Sequence, residues 1–190
     1  MKPIECATGV GPFSVPAEEC PTARCFSPIA SPDARLLILG SMPGPVALNA
    51  GQYYAHPRNA FWRIMGELLD FSQGLDYQAR VAQLRLAGVA VWDVLYSCRR
   101  QGALDTAIDD EVANDLAEFL VTHTAIGHVF FNGAKAESCF RRHVRRHVTL
   151  ALPERRIAFA RLPSTSPAHA RLSFEGKLDA WRAVTRALAG

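Results

Sequence analysis

Polar side chains that could support hydrolysis and ligand recognition occur in four segments of the chain, each after a run of apolar residues. These segments are residues 40–59, 93–102, 132–133 and 163–170. An asparagine amide can hold a water molecule because it both donates and accepts hydrogen bonds, whereas a carboxylate accepts from N–H groups and hydroxyl groups donate to anions. The four segments together could bind a polar ligand and direct water at it.

The apolar runs that precede these segments predict four buried strands, at about 36–39, 89–95, 129–131 and 157–162. Continuous apolar runs of this length are typical of strands that are covered on both faces. They alternate with helical patterns, which predicts an α/β fold, a three-layer α/β/α sandwich around a mostly parallel four-stranded sheet. In such sheets ligands bind beyond the carboxyl ends of the strands, where all four polar segments should lie.

Apolar residues spaced three and four apart predict the helices between these strands. Two of them cover about 61–69 and 77–87, the second stopped by Gly88. A third is predicted to be capped by Asp109 and Asp110. Its inward-facing residues would be Val112, Leu116, Phe119 and Leu120. Further helices are predicted over 140–148 and 174–188.

The domain organisation is predicted from length and local composition. With 190 residues the chain can form one sizeable α/β domain and is short for two. Residues 1–33 are rich in Pro, Gly, Ser and Thr and show no clear period, so we expect an irregular arm, partly ordered against the domain formed by 34–190.

The overall composition excludes few functions. Hydrophobic residues make up 49% and charged residues 21%, and the net charge of +3 is compatible with nucleic-acid binding without arguing for it. No apolar run reaches the ~18–20 residues needed to span a bilayer. The N-terminal residues lack the apolar stretch of a secretory signal. We therefore expect a cytoplasmic protein without membrane contact.

Five cysteines are unevenly spaced and form no disulfide framework. Cys6, Cys20 and Cys25 could contribute to a metal or iron–sulfur site, but the chain has no CxxC pair and a fourth ligand would have to come from far away. Reduced, unpaired thiols are the simpler interpretation, and no metal or cofactor is expected.

The first polar segment resembles motif 1 of the uracil-DNA glycosylase superfamily. Its longer string, GSMPG…GQYYAHPRNAFW, is similar to the hypoxanthine-DNA (deoxyinosine) glycosylase family. VWDVLYSCRRQGALD at 91–105, FFNG at 130–133 and LPSTSPAHA at 162–170 agree in order, so the resemblance spans about 28–181. It implies a monofunctional DNA glycosylase that flips a deaminated base, hypoxanthine before uracil or xanthine, and hydrolyses its N-glycosidic bond in base excision repair.

The resemblance implies a catalytic role for Asn59, whose amide would place the attacking water. Many superfamily members carry an Asp or Asn inside the first loop, where this chain has Met42; the hypoxanthine-type family supplies its catalytic Asn further along, at the position of Asn59. The structural alternative is that Asn59 caps the helix predicted to begin at Ala60. One side chain could serve both purposes.

The implied base-binding residues are Gly40, Ser41, Met42, Tyr54, Asp93 and Asn132. Tyr54 would stack on the flipped base. Asp93 would accept the lactam N–H that hypoxanthine and uracil present and that adenine lacks, and Asn132 would hold the base or the leaving anion. Core packing of Tyr54, a solvated or capping Asp93 and a turn role for Asn132 are the structural alternatives.

The implied DNA-binding residues are Arg58, Arg99, Ser164, Thr165, Ser166 and His169. Arginines and hydroxyl groups suit phosphate contacts. His169 would lie near the wedge or minor groove, or be an exposed loop histidine. Leu162 stands where uracil-removing relatives place a catalytic His. No lysine lies in a motif as a Schiff-base nucleophile, so hydrolysis without strand cleavage is expected.

Two other functions stay open from the sequence alone. One is a catalytically weak DNA-binding module of the same fold, and the other is a hydrolase of free nucleosides. For the glycosylase, the expected partner is damaged DNA, double- or single-stranded. The enzyme is expected to be a monomer in the cytoplasm, associated with the nucleoid.

Overall fold

The computed structural model describes residues 22–100 and 108–190. In chain order its elements are β1 (Thr22–Arg24), β2 (Leu36–Gly40), α1 (Pro45–Ala50), α2 (Phe61–Leu69), α3 (Tyr77–Leu86), β3 (Val89–Asp93), β4 (Leu95–Arg100), β5 (Ile108–Ala113), α4 (Leu116–Thr122), β6 (His128–Asn132), α5 (Ala134–His143), α6 (Arg145–Ala151), β7 (Ala158–Leu162), α7 (Phe174–Trp181) and α8 (Ala183–Ala189).

The predicted parallel sheet is confirmed. Its strands lie in the order β3-β2-β6-β7 and all neighbouring pairs are parallel. Every residue of β2 is buried, as expected for a central strand. Leu37 and Leu39 face one core cluster, with side chains from α4, α5 and α6. Leu36 and Ile38 face the other, with α2, α3, α7 and α8. The fold is therefore a three-layer α/β/α sandwich.

The prediction of a helix capped by Asp109 and Asp110 is wrong, because this segment forms strand β5. It pairs with β4 in a second, antiparallel sheet of order β1-β4-β5. Val112, expected to face inward, is 53% exposed, while the neighbouring Glu111 side chain is only 7% exposed. Exposed and buried side chains therefore alternate as in a strand and do not follow the helical period. Strand β4 supplies the hydrogen-bonding partner, which the local spacing of apolar residues does not reveal.

The remaining helices agree with their predicted positions but differ in their bounds. Helix α4 begins at Leu116, where the Asp115 carboxylate accepts a hydrogen bond from the Glu118 amide at 2.9 Å. The helix predicted over 140–148 is broken at Val144, and the C-terminal helix is broken at Arg182. Helix α1 was not predicted; Pro45 occupies its first turn.

Residues 22–33 pack against the domain. Strand β1 pairs antiparallel with β4, and Ile29, which is 5% exposed, forms a bridge with Val91. The described part of the arm thus adds to both sheets, while Cys6 and Cys20 lie outside the described residues. In the described ranges, no helix combines the length and apolarity required to cross a bilayer.

Candidate active site

A cavity of about 630 Å³ lies at the carboxyl ends of the parallel strands, where all four polar segments meet. Parallel register explains the convergence, since Gly40 is aligned with Asp93 and Asn132 with Leu162. Of the predicted site residues, those that line the cavity are Gly40, Ser41, Met42, Tyr54, Arg58, Asn59, Asp93, Asn132, Ser164, Thr165, Ser166 and His169.

Asn59 lines the cavity and also supports the start of α2. Its side-chain Oδ1 accepts a hydrogen bond from the Phe61 amide at 3.0 Å. The backbone N–H of Asn59 donates to the carbonyl of His56 at 2.8 Å. The Phe61 contact orients the side-chain carboxamide, and its carbonyl oxygen retains a second lone pair. Asn59 therefore lines the cavity and also supports the first turn of α2, although helix α2 begins at Phe61 and its N-cap residue is Ala60.

Tyr54 lines the cavity with its ring supported from behind. The ring stacks on buried Phe61 with centroids 3.9 Å apart and an angle of 23° between the planes. Its backbone lies in the left-handed region, with φ of 56°, where a bulky non-glycine residue is uncommon and strained. Phe61 covers one face of the ring, and this arrangement suits a stacking platform for a planar ligand.

Asp93 is 3% exposed and abuts Gly40 at the next strand end. A Cβ atom built on Gly40 would collide with Asp93 Oδ1 and lie 3.4 Å from the Tyr54 hydroxyl. The backbone carbonyl of Asp93 accepts a hydrogen bond from Asn114 Nδ2 at 2.9 Å. The absence of a side chain at Gly40 therefore allows a carboxylate and a phenol to approach each other beside the strand end.

Tyr53 is buried in the wall of the cavity and packs against the core. It is 3% exposed, and its hydroxyl donates to the carbonyl of Phe26 at 3.3 Å. Burial, with the negative charge of Asp93 as a second cause, raises the pKa of Tyr53 above its usual range. Tyr53 is therefore a neutral donor that holds the segment at Phe26 against the domain.

Asn132 and Thr165 form a doubly hydrogen-bonded pair that links β6 to the 163–169 loop. Asn132 Nδ2 donates to Thr165 Oγ1, and the Thr165 amide donates to Asn132 Oδ1, both at 2.9 Å. The Thr165 carbonyl accepts from the Ala60 amide at 3.0 Å. Thr165 stands in the wall of the cavity but is completely buried, so its hydroxyl is not exposed to a phosphate. It instead joins the loop to the end of β6 and to the start of α2.

Internal hydrogen bonds shape the rest of the 163–169 loop. The Ser166 amide donates to Ser164 Oγ at 3.2 Å, and the Ala168 amide donates to Ser166 Oγ at 3.3 Å. The loop also passes close to Gly133, whose φ is 99° and whose Cβ, if present, would lie 2.9 Å from Ser164 Cβ. These two bonds use the Ser164 and Ser166 oxygens only as acceptors, so neither bond consumes a hydroxyl proton.

Arg99 is the one predicted site residue that the structure does not bring to the cavity. It lies in β4, where its guanidinium pairs with Asp110 at 3.3 Å. Arg58, by contrast, is exposed at the cavity edge. Strand β4 belongs to the antiparallel sheet and carries the chain away from the carboxyl ends of the parallel strands. The sequence predicts a loop over 93–102 at those ends.

Sequence reasoning missed three residues around the cavity. His56 lines it, and His56 Nδ1 accepts from the Arg58 amide at 3.1 Å, which leaves a proton on Nε2 in the neutral ring. Lys177 and Trp181 in α7 contact the 163–169 loop from within the protein. His56 is close to Asn59 in sequence and could have been noted, whereas nothing local marks the two α7 residues.

The comparisons with known proteins agree with this geometry. The family described as the uracil DNA glycosylase superfamily matches residues 27–187. A relative from Methanosarcina barkeri named hypoxanthine DNA glycosylase is 37% identical over 112 residues, 58% of this chain and 71% of the relative. A protein of the same name from Methanosarcina acetivorans is 32% identical over 114 residues, 60% and 72% of the two chains.

A solved structure shows the same fold. It is a solution NMR structure of a protein from Methanosarcina acetivorans named as a candidate uracil DNA glycosylase. It superposes with a TM-score of 0.74 at 28% sequence identity and covers 89% of this chain and 99% of its own. Since the family match spans most of the chain and the fold agrees, this chain belongs to the uracil-DNA glycosylase superfamily.

Proposed function

We propose that this DNA glycosylase hydrolyses the N-glycosidic bond of deaminated bases in base excision repair, with hypoxanthine as the main substrate and uracil or xanthine as secondary ones. The observation that carries the proposal is the convergence of Asn59, Tyr54 and Asp93 on one cavity of about 630 Å³. The name shared by the two Methanosarcina relatives supports hypoxanthine as the substrate.

Base recognition is assigned to Tyr54 and Asp93. The extruded base stacks on the ring of Tyr54, which Phe61 supports from behind; such stacking is worth about 1–3 kcal/mol, comparable to the cost of base flipping. The Asp93 carboxylate accepts the lactam N–H of hypoxanthine. Adenine presents a lone pair at the same place, so the carboxylate repels the normal base while it attracts the deaminated one.

The chemical step is assigned to Asn59. Departure of the base leaves positive charge on the sugar and negative charge on the base, and a water molecule must reach C1′. Asn59 Oδ1, held by the Phe61 amide at 3.0 Å, has a fixed direction and a free lone pair with which to orient that water. Met42, at 6% exposure, adds an apolar wall and no polar group.

DNA contacts are assigned to the edge of the cavity. Exposed Arg58 and the Ser164 and Ser166 hydroxyls are placed to meet phosphates, and His169 lies further along the same loop. Thr165 and Asn132 are assigned to holding the loop, because their mutual hydrogen bonds occupy both side chains. A DNA contact by Arg99 stays a prediction.

Hydrolysis without strand cleavage is supported by the positions of the lysines. Within the described ranges, Lys135 pairs with Glu111 at 2.5 Å and Lys177 is buried against the carbonyl of Ser166. Neither lines the cavity, so neither is placed to attack C1′ as a Schiff-base nucleophile. We retain the proposals of a monomer that needs no cofactor and acts on damaged DNA, double- or single-stranded, in the cytoplasm at the nucleoid.

The direct test is excision from duplexes that contain one inosine, uracil or xanthine. We expect alkali-labile abasic sites to form fastest with inosine, and strands to stay intact until alkali is added. Abasic-site formation on none of the three duplexes would overturn the proposal. Strand cleavage without alkali would overturn its monofunctional part.

A catalytically weak DNA-binding module is the second candidate, favoured by the helix-start hydrogen bond that Asn59 Oδ1 makes with Phe61. Two substitutions separate the functions. Asn59→Ser keeps an oxygen that can accept at a helix start, whereas Asn59→Ala does not. For an enzyme, both variants should lose about 100-fold or more in excision rate while DNA affinity persists, and only Asn59→Ala should lose stability. Unchanged excision by Asn59→Ser would remove the catalytic role.

A further inference from the structure

Lys177 in α7 is a buried cation directly behind the 163–169 loop. Its exposed fraction is 6%, and Nζ donates to the carbonyl oxygen of Ser166 at 3.4 Å. Throughout residues 22–100 and 108–190, no carboxylate forms an ion pair with it. Burial lowers the pKa of Lys177, because removal from water disfavours the ammonium form.

Helix α7 holds the loop at two points through one face. Trp181, four residues after Lys177 and therefore on the same face, donates from Nε1 to the carbonyl of Pro163 at 2.9 Å. Trp181 is fully buried. These two contacts draw the carbonyls of Pro163 and Ser166 towards the interior, while Ser164 and Ser166 line the cavity on the opposite side.

Lysine is almost never buried without a partner, since an unpaired ammonium is costly in a medium of low dielectric constant. An anion that arrives on the outer side of the same loop would supply a counter-charge for Lys177 from across the loop. Ser164 and Ser166 line the cavity on that side, and serine hydroxyl groups suit phosphate oxygens. The uncompensated charge and the donors therefore point to the same ligand.

We propose that Lys177 is a positioning residue for DNA, which fixes the Ser164–Ser166 segment through the Ser166 carbonyl and provides a buried counter-charge for one backbone phosphate docked on that segment. The proposal rests on the assignment of a DNA substrate. It concerns binding and not turnover, so it can fail while base excision stands, and it can hold on DNA from which no base is removed.

The test is the salt dependence of binding to a duplex with a stable tetrahydrofuran abasic site, measured by fluorescence anisotropy. Lys177→Gln keeps a donor for the Ser166 carbonyl but removes the charge. We expect the slope of log K against log[KCl] to fall by about 1 in magnitude, as for the loss of one phosphate contact. Lys177→Arg should retain the slope, because it retains the charge.

Arg186→Met is the matched control, since it removes one positive charge from an exposed position in α8. The end of that helix lies at the amino ends of the parallel strands, away from the cavity. There the Leu188 carbonyl accepts a hydrogen bond from Nη1 of Arg35, the residue before β2, at 2.6 Å. The slope for Arg186→Met should equal that of the native protein. A native slope for Lys177→Gln, with or without a lower melting temperature, would show a purely structural lysine and overturn the proposal.

The native protein provides an independent measurement that does not depend on how the variants fold. The 1H–15N resonance of Lys177 Nζ should shift on addition of the same duplex, because a phosphate then faces the ammonium group. The resonance of Lys135, which already has Glu111 as its partner, should move less. An unchanged Lys177 resonance on saturation with duplex would overturn the proposal.

Discussion

At the scale of single residues, the site depends on side chains whose positions are fixed by a neighbour. The Asp93 carboxylate occupies the space that a Cβ atom at Gly40 would need, and Tyr54 is stacked on Phe61. Groups held in this way need little reorganisation when a ligand arrives, which is the physical basis of preorganised recognition. The proposed selectivity for hypoxanthine therefore depends on the absence of a side chain at Gly40, which leaves room for the Asp93 carboxylate.

Gly40→Ala should displace the carboxylate with little harm to the fold. The colliding atom is the end of a side chain, which can rotate away, so the stability loss should stay within the 1–3 kcal/mol typical of overpacking. We expect inosine excision to fall about 10-fold or more, measured as single-turnover rates, since the Asp93 oxygen leaves its position.

Gly127→Ala is the control for this substitution, because no atom of the described residues lies within 4 Å of a Cβ there. Gly127 directly precedes β6, at the amino ends of the parallel strands. This variant should excise inosine at the native rate. If Gly40→Ala did the same, the position of Asp93 would not determine recognition.

At the scale of secondary-structure elements, the 163–169 loop connects pieces of chain that are remote in sequence. Thr165 contacts Asn132 at the end of β6 and Ala60 at the start of α2. Asn59 directly precedes Ala60, so the proposed catalytic residue and the proposed phosphate-binding loop are joined by one hydrogen bond of 3.0 Å. A change in the loop should therefore be felt by the catalytic residue.

Thr165→Val should destabilise the protein by about 1 kcal/mol, because the half-buried Asn132 Nδ2 loses the hydroxyl acceptor that it has in the native protein. Urea unfolding gives the free energy of unfolding, and anisotropy with a duplex should show weaker binding as the loop loses its anchor. Thr149→Val is the control, since its exposed hydroxyl donates within α6, to the Arg145 carbonyl at 3.0 Å. Equal stability losses for the two variants would contradict the anchoring role of Thr165.

At the scale of the whole molecule, the two sheets are joined through a buried carboxylate. Glu111 of β5 contacts Lys135 at 2.5 Å, His143 at 2.7 Å and Arg142 at 3.3 Å, all in or next to helix α5. Burial opposes ionisation of Glu111, but hydrogen bonds from Lys135 and His143 outweigh it and lower the pKa of this carboxyl to about 2. The antiparallel sheet is thereby attached to the helix that follows β6.

Stability should depend on this carboxylate at acidic pH. The pKa of Glu111 is depressed in the folded protein, so its contribution is fully present above about pH 4.5, the unfolded value, and is lost as pH falls towards 2. From the size of this shift, the contribution lost is on the order of 3 kcal/mol. Urea unfolding at pH 6 and pH 2.5 measures it, and Glu111→Gln should lose less over that interval. Parallel losses in both proteins would contradict the assignment.

The sequence by itself determined the parallel sheet, helices α2 and α3 and the identity of the polar segments at the strand ends. A continuous apolar run such as 36–39 can be accommodated only where both faces of a strand are covered, and the carboxyl ends of parallel strands then lie at one edge. Local spacing is sufficient for such conclusions, because burial on one or two faces repeats along the chain with the period of the element itself.

Only the tertiary structure decided which side chains contact each other. Strand β5 needed β4 as its partner, Thr165 met Asn132 across 33 positions of sequence, and Lys177 came to lie beneath the loop that holds Ser166. Arg99, close in sequence to Asp93, was carried away from the cavity by an antiparallel strand. Hydrogen bonds and ion pairs between distant segments leave no period in the sequence, because their partners are brought together by packing of the whole domain.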